Sequence, residues 1–110
     1  SEAEAGESRN NTMNDLLEKD LQRHVRAFAE GLGWRVYHSW TSIHSPRGFP
    51  DLLCIRDGEI VAIELKREKG KVSPLQEEWI GEFRKVLGVR FAGVIRPSNW
   101  YAGELDEVLR

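Results

Sequence analysis

Apolar positions from Asn14 onward recur at spacings of three and four: Leu17, Leu21, Val25, Phe28 and Leu32. That period predicts an amphipathic helix, and Gly31 and Gly33 supply its stop. The period then changes. WRVYHSW (34–40) is aromatic and β-branched enough for a strand, and TSIHSPRGFP (41–50), with two prolines and a glycine, reads as a loop. In PDLLCIRDGEIVAIELK (50–66), two apolar runs are joined by Asp57-Gly58, the pairing that favours a two-residue type I′ hairpin loop. Ser73-Pro74-Leu75-Gln76 provides a cap residue, proline at the first helical position and glutamine three after the cap. It opens a predicted helix with Leu75, Trp79, Phe83, Val86 and Leu87 on one side, ending at Gly88. RFAGVIR (90–96) predicts a strand, and Pro97 to Arg110 a terminal loop and short helix. Residues 1–12, SEAEAGESRNNT, are polar and aperiodic. With Met13 as a candidate native start, residues 1–13 are expected to be a disordered tail and 14–110 a single domain. The order α-β-β-β-α-β, with a short helix after it, predicts an α/β fold: one central mixed sheet flanked by helices.

A two-residue turn dictates the register of the hairpin. Arg56 should face Glu59, Ile55 Ile60, Cys54 Val61, Leu53 Ala62, and Leu52 Ile63; Asp51 then faces Glu64. Directly opposed residues have Cβ atoms only about 4.5–5.5 Å apart, and alternation along the strand turns Lys66 to the same side as Glu64. Two opposed carboxylates destabilise a sheet unless something positive joins them. A divalent cation held by both would serve, because hard ions such as Mg²⁺ take carboxylate oxygens and keep several waters; Lys66 could also neutralise one of them. Taken singly, each charge reads as a solvated strand end. Together, in a register set by the turn, they point to a site. On a helical wheel Glu18 lies at the edge of the first helix's apolar stripe, where an acid reaching inward and a border residue reaching solvent are both compatible. Gln76 falls within the arc of Leu75, Trp79 and Phe83, although a capping box with Ser73 accounts for it without any site.

Composition narrows the function classes. At 110 residues, 40% hydrophobic and 31% charged, the chain suits one globular domain. It has no apolar run of about 18 residues and no signal-peptide pattern, so no membrane partner is expected. The one cysteine, Cys54, lies in an apolar run; it is expected to be a small buried hydrophobe and suits a reducing, cytoplasmic setting. The net charge of −2 is carried by Glu2, Glu4 and Glu7 against Arg9 in the tail. Local clustering therefore outweighs the total, and Lys66-Arg67-Glu68-Lys69-Gly70-Lys71 is a basic stretch directly after the charged strand end. His38 and His44 complete no zinc pattern, and Trp40, Trp79 and Trp100 are expected to pack rather than stack on bases.

Pro50-Asp51 followed by Glu64-Leu65-Lys66 resembles the signature of the PD-(D/E)XK nucleases. LEKDLQRHVRAFAEGLGWRVYH, RGFPDLL and ELKREKGKVSPLQEEW are similar to the VRR-NUC branch of that superfamily, and VIRPSNW with LDEVL resembles its small phage and bacterial members. The resemblance spans about residues 15 to 110. It implies a restriction-endonuclease-like core and hydrolysis of DNA phosphodiesters dependent on Mg²⁺, with Mn²⁺ as a substitute. By the same resemblance Asp51, Glu64 and the backbone carbonyl of Leu65 hold the metal, Glu18 contributes directly or through water, Lys66 orients or deprotonates the attacking water, and Gln76 lies near the metal. Phosphate contacts are expected from Arg67, Lys69 and Lys71, with Arg47, Arg23 and Arg26 in support. Small members of this kind are homodimers that cut four-way DNA junctions, so a Holliday junction resolvase in a bacterial or phage-infected cytoplasm is the leading expectation. A flap or nicking nuclease, a DNA-end exonuclease, and a DNA-binding module inactive without a partner are the alternatives.

Overall fold

The computed structural model describes residues 18–39 and 45–110. They form α1 (Glu18–Gly31), β1 (Arg35–His38), β2 (Leu52–Arg56), β3 (Glu59–Leu65), α2 (Pro74–Arg84), β4 (Val89–Ile95), α3 (Pro97–Tyr101) and α4 (Glu104–Leu109). The expected tail, Leu17, Trp40 and His44 lie outside the described residues.

The hairpin turn organises the sheet. Asp57 and Gly58 both have positive φ, 50° and 80°, as a type I′ loop requires. All five residue pairs from Arg56–Glu59 to Leu52–Ile63 form as the turn dictates. β1 adds antiparallel to β2, and β4 adds parallel to β3, giving a mixed sheet in the order β1-β2-β3-β4. Helices lie on both faces. α1 buries Leu21, Val25 and Ala29 against Cys54, Val61, Ile63 and Leu65. α2 packs Ile80 on Ala62 and Ala92 of the opposite face, with Leu53 and Phe83 beside them. Alternation along β3 therefore sends Val61, Ile63 and Leu65 to the α1 face and Ala62 and Glu64 to the α2 face. Cys54 is buried as expected, and its burial pushes the thiol pKa up to about 11.

Three boundaries differ from the sequence pattern. α2 ends at Arg84, not at Gly88, and Leu87 is 96% exposed. The carbonyl of Gly88 accepts the N–H of Ile60 at 2.8 Å, so this segment is already committed to the β3 edge and cannot continue the helix. β1 begins after Trp34, which turns into the core and donates its indole N–H to the carbonyl of Leu109 at 2.7 Å. The C-terminal segment holds two short helices, separated by Gly103 at φ 75°.

Candidate active site

The ladder between β2 and β3 stops at Leu52–Ile63. The pair expected next, Asp51 opposite Glu64, does not continue it. The carbonyl of Asp51 instead accepts the N–H of Ser39, at 2.8 Å. Its carboxylate oxygen Oδ2 accepts the backbone N–H of Leu65, also across the gap, at 2.7 Å. Asp51 thus sits where β2 parts from β3, with its carboxylate held over the end of β3.

Glu64 is the residue next to that end, and it is only 3% exposed, the one charged side chain fully buried among the described residues. Its Oε2 accepts the amide N–H of Gln76 at 2.8 Å; its Oε1, also buried, has no hydrogen-bond partner among the described residues. Burial, then the neighbouring charge of Asp51, lifts its pKa to about 8 against the opposing pull of Lys66. Asp51 is raised as well, chiefly by burial, with the Leu65 N–H the main opposing influence. The two carboxyls act on one another's ionisation, and Glu18 adds a further negative charge within electrostatic reach of both. Two acids that resist ionising side by side need either a proton or a cation between them.

Gln76 satisfies both readings that the sequence left open. Its Oε1 accepts the N–H of Ser73 at 2.8 Å, completing a capping box, while its Nε2 reaches Glu64. The helix cap and the carboxylate site share one side chain.

The loop before Asp51 is seated on the same helix start. Gly48 has φ 82°, and a Cβ placed there would come within 2.7 Å of the Leu75 backbone and 2.8 Å of the Gln76 nitrogen. Only glycine permits this approach. Phe49 packs edge-on against Trp79, with ring centroids 4.9 Å apart, and the Trp79 indole donates to the carbonyl of Arg47 at 3.1 Å. The result is a cavity of about 180 Å³ lined by Ser39, Arg47, Gly48, Asp51, Glu64 and Gln76, among others.

Asp51, Glu64, Gln76 and Arg47 line one cavity, while Lys66 and Glu18 act on its two acids through their charge. Arg67, Lys69 and Lys71 stand exposed on the loop after β3. Arg23 and Arg26 are on the exposed side of α1, paired with Asp20 at 2.8 Å and Glu30 at 3.4 Å. Pattern reading missed Arg96, whose guanidinium Nη1 donates to the carbonyls of Arg67, Glu68 and Gly70. The sequence signal was there in VIRPSNW, an arginine directly after a strand, but an arginine's partners are invisible without the fold.

Among the described residues, no three His, Cys, Asp or Glu side chains form a group able to hold an ion by themselves. The donor set offered is two carboxylates, one of them with a buried unpartnered oxygen, beside backbone groups of Leu65. That suits an ion such as Mg²⁺, which is commonly bound through one or two carboxylates and keeps several waters, better than an all-protein cage.

The VRR-NUC domain family matches residues 6–95. The match reaches into the segment expected to be tail and stops at the end of β4, before α3 and α4. No curated protein matches the chain. A solved structure described as a VRR_NUC domain is similar at 29% identity and TM-score 0.62, over 82% of this chain and 94% of that one. The four-stranded mixed sheet between helices accordingly has the restriction-endonuclease-like arrangement, and no described helix is long and apolar enough to cross a membrane. A match over most of its length, with the acids and glutamine gathered at one sheet end, makes this chain a member of the VRR-NUC domain family, a family of nuclease domains.

Proposed function

We propose that the chain is a metal-dependent, structure-selective DNA endonuclease that hydrolyses phosphodiester bonds, with four-way junctions as its substrate and a homodimer as its working form. The observation that carries the metal dependence is the Glu64 carboxyl: buried, raised in pKa by the neighbouring charge of Asp51 as well as by burial, and left with an oxygen that no described protein group partners. Asp51, Glu64 and the carbonyl of Leu65 would hold Mg²⁺ or Mn²⁺, with Glu18 contributing through water. When bound, the ion lowers the pKa of a coordinated water and neutralises charge developing on the phosphate.

The side chains do the rest. Gln76 holds Glu64 in place through Oε2 and leaves Oε1 free for the ion. The Leu65 N–H fixes one oxygen of Asp51 and so orients the carboxylate. Lys66 supplies a positive charge on the same side as both acids, suited to orienting the attacking water and to offsetting charge on the phosphate. Arg67, Lys69 and Lys71 offer exposed charges to the flanking backbone, with Arg47 at the cavity and Arg23 and Arg26 along α1. Contacts of this kind read backbone and shape rather than base sequence. Two sites related by a two-fold axis suit paired nicks in a junction.

The deciding experiment incubates a labelled four-way junction and the matched linear duplex with the protein in Mg²⁺, in Mn²⁺ and in EDTA, beside Asp51→Ala. Paired nicks in the junction alone, lost in EDTA and in the variant by a factor on the order of 10³ or more, are expected. Cutting of linear DNA or of free ends would retain the chemistry and remove the junction preference. Tight junction binding with no cutting in either metal would identify an inert DNA-binding module.

A further inference from the structure

The basic stretch after β3 is not a loose loop. Its backbone closes a tight turn, with the N–H of Gly70 donating to the carbonyl of Arg67 at 2.9 Å. Three of its carbonyls converge on a single cationic atom: Arg96 Nη1 lies 2.8 Å from the oxygen of Arg67, 3.0 Å from that of Glu68 and 2.7 Å from that of Gly70. Arg96 is itself held at the end of β4, where its N–H donates to the Asn99 side chain at 2.6 Å. The preceding carbonyl, of Ile95, accepts the N–H of Lys66 at 3.1 Å. Two successive residues at the end of β4 thus hold two successive parts of the segment that leaves β3: Ile95 accepts the Lys66 N–H, and Arg96 binds the turn beyond it.

The turn also sorts its charges. The one acid in KREKGK, Glu68, is half-buried and accepts the backbone N–H of Ser98 at 2.8 Å. Arg67, Lys69 and Lys71 remain exposed. With its carbonyls turned in to Arg96 and its carboxylate turned in to Ser98, the outer surface of the turn is positive throughout. A backbone already fixed in this form loses less conformational freedom when a polyanion binds.

We propose that Arg96 is a positioning residue for DNA, which holds the Arg67–Gly70 turn so that Glu68 faces inward and the flanking basic side chains face a phosphate backbone. This rests on the nuclease reading above and deepens it. Arg96 touches neither substrate nor metal; it acts through the turn. Because the backbone N–H of Lys66 is bonded to Ile95 and not to Arg96, loss of Arg96 should weaken DNA binding far more than it slows the chemical step.

The test measures KM and kcat on cleaved DNA, together with the salt dependence of DNA binding, for wild type, Arg96→Ala, Arg96→Lys and Glu68→Ala, each with its thermal midpoint. Arg96→Ala is expected to raise KM about tenfold with kcat within about twofold, and to flatten the salt dependence by about one phosphate contact as the basic side chains lose their common orientation. Arg96→Lys should restore much of the affinity, since an ammonium carries three donors for the three carbonyls. Glu68→Ala separates positioning from bare charge: removing an acid should tighten DNA binding if only charge mattered, whereas freeing the turn should raise KM. It also decides the matter if Arg96→Ala fails to fold. An unchanged KM, a fall in kcat with KM unaltered, or a lower KM in Glu68→Ala would overturn the inference while leaving the nuclease reading intact. A wild-type protein that neither binds nor cuts DNA would overturn both.

Discussion

Glu64 carries the sharpest consequence at the scale of a single residue. Its carboxyl titrates near 8 in the folded chain, against an ordinary value of 4.5. Between those values the folded protein keeps a proton that the unfolded chain has lost. Stability of the metal-free protein should therefore fall as pH rises from about 4.5 to about 8, by up to about 1.4 kcal/mol per pH unit, and level off above. Asp51, also raised, contributes in the same direction. Thermal midpoints in EDTA should decline from pH 5 to pH 8, and Glu64→Gln should flatten the decline. On the proposed metal site, added Mg²⁺ should raise the midpoint more at pH 8 than at pH 5, because an ion held there would take the place of the proton. A midpoint that climbs with pH across this window would contradict the buried-acid account.

At the scale of elements, the site depends on how tightly the loop at 45–50 is set against the start of α2. Gly48 and Gly58 both have positive φ, so alanine is strained at either, by about 1–3 kcal/mol. The surroundings distinguish them. A Cβ at Gly58 meets nothing within 4 Å, whereas at Gly48 it meets the backbone of Leu75 and Gln76. Gly48→Ala should accordingly destabilise more than Gly58→Ala in chemical denaturation. It should also cut cleavage, since the same collision displaces Gln76 from Glu64, while Gly58→Ala should leave cleavage near wild type. Equal losses for the two variants would mean that backbone conformation, not contact, is the whole effect.

Across the whole molecule the sheet has two ends with different duties. At the hairpin-turn end, Trp34, Arg56 and Arg90 gather the carbonyls that close α4: Leu109, Arg110 and Val108 respectively. Arg56 also stacks over the Trp34 ring at 4.3 Å and donates to the carbonyl of Leu32 at the end of α1. The opposite end carries Asp51, Glu64 and Lys66. Trp34→Phe should keep the core filled but strand the Leu109 carbonyl, costing about 1–2 kcal/mol in global stability. Cleavage below the unfolding transition should stay within about twofold of wild type. A large loss of activity without a loss of stability would mean the two ends are coupled.

The hairpin register was legible in the amino-acid order, because Asp57-Gly58 admits one tight turn and a turn dictates every pair that follows. The amphipathic stripe of α1 and the cap of α2 were legible for the same reason: both rest on contacts between residues three or four apart. The end of α2 was not, since Val86 and Leu87 continue its apolar pattern and only the bond from Ile60 to Gly88 takes that segment away. Asp51 and Glu64 were legible as neighbours, but not the fork that lays Asp51 across Leu65, nor the burial that raises the pKa of Glu64. Gln76 could be read as a cap or as a site residue; folding made it both. Sequence by itself determined the local geometry and the chemical character of the charged strand end. Only the tertiary structure decided which charges lose their water, which cations answer them, and that Arg96 closes the basic turn, because burial and convergence of distant groups arise from packing and leave no trace in spacing along the chain.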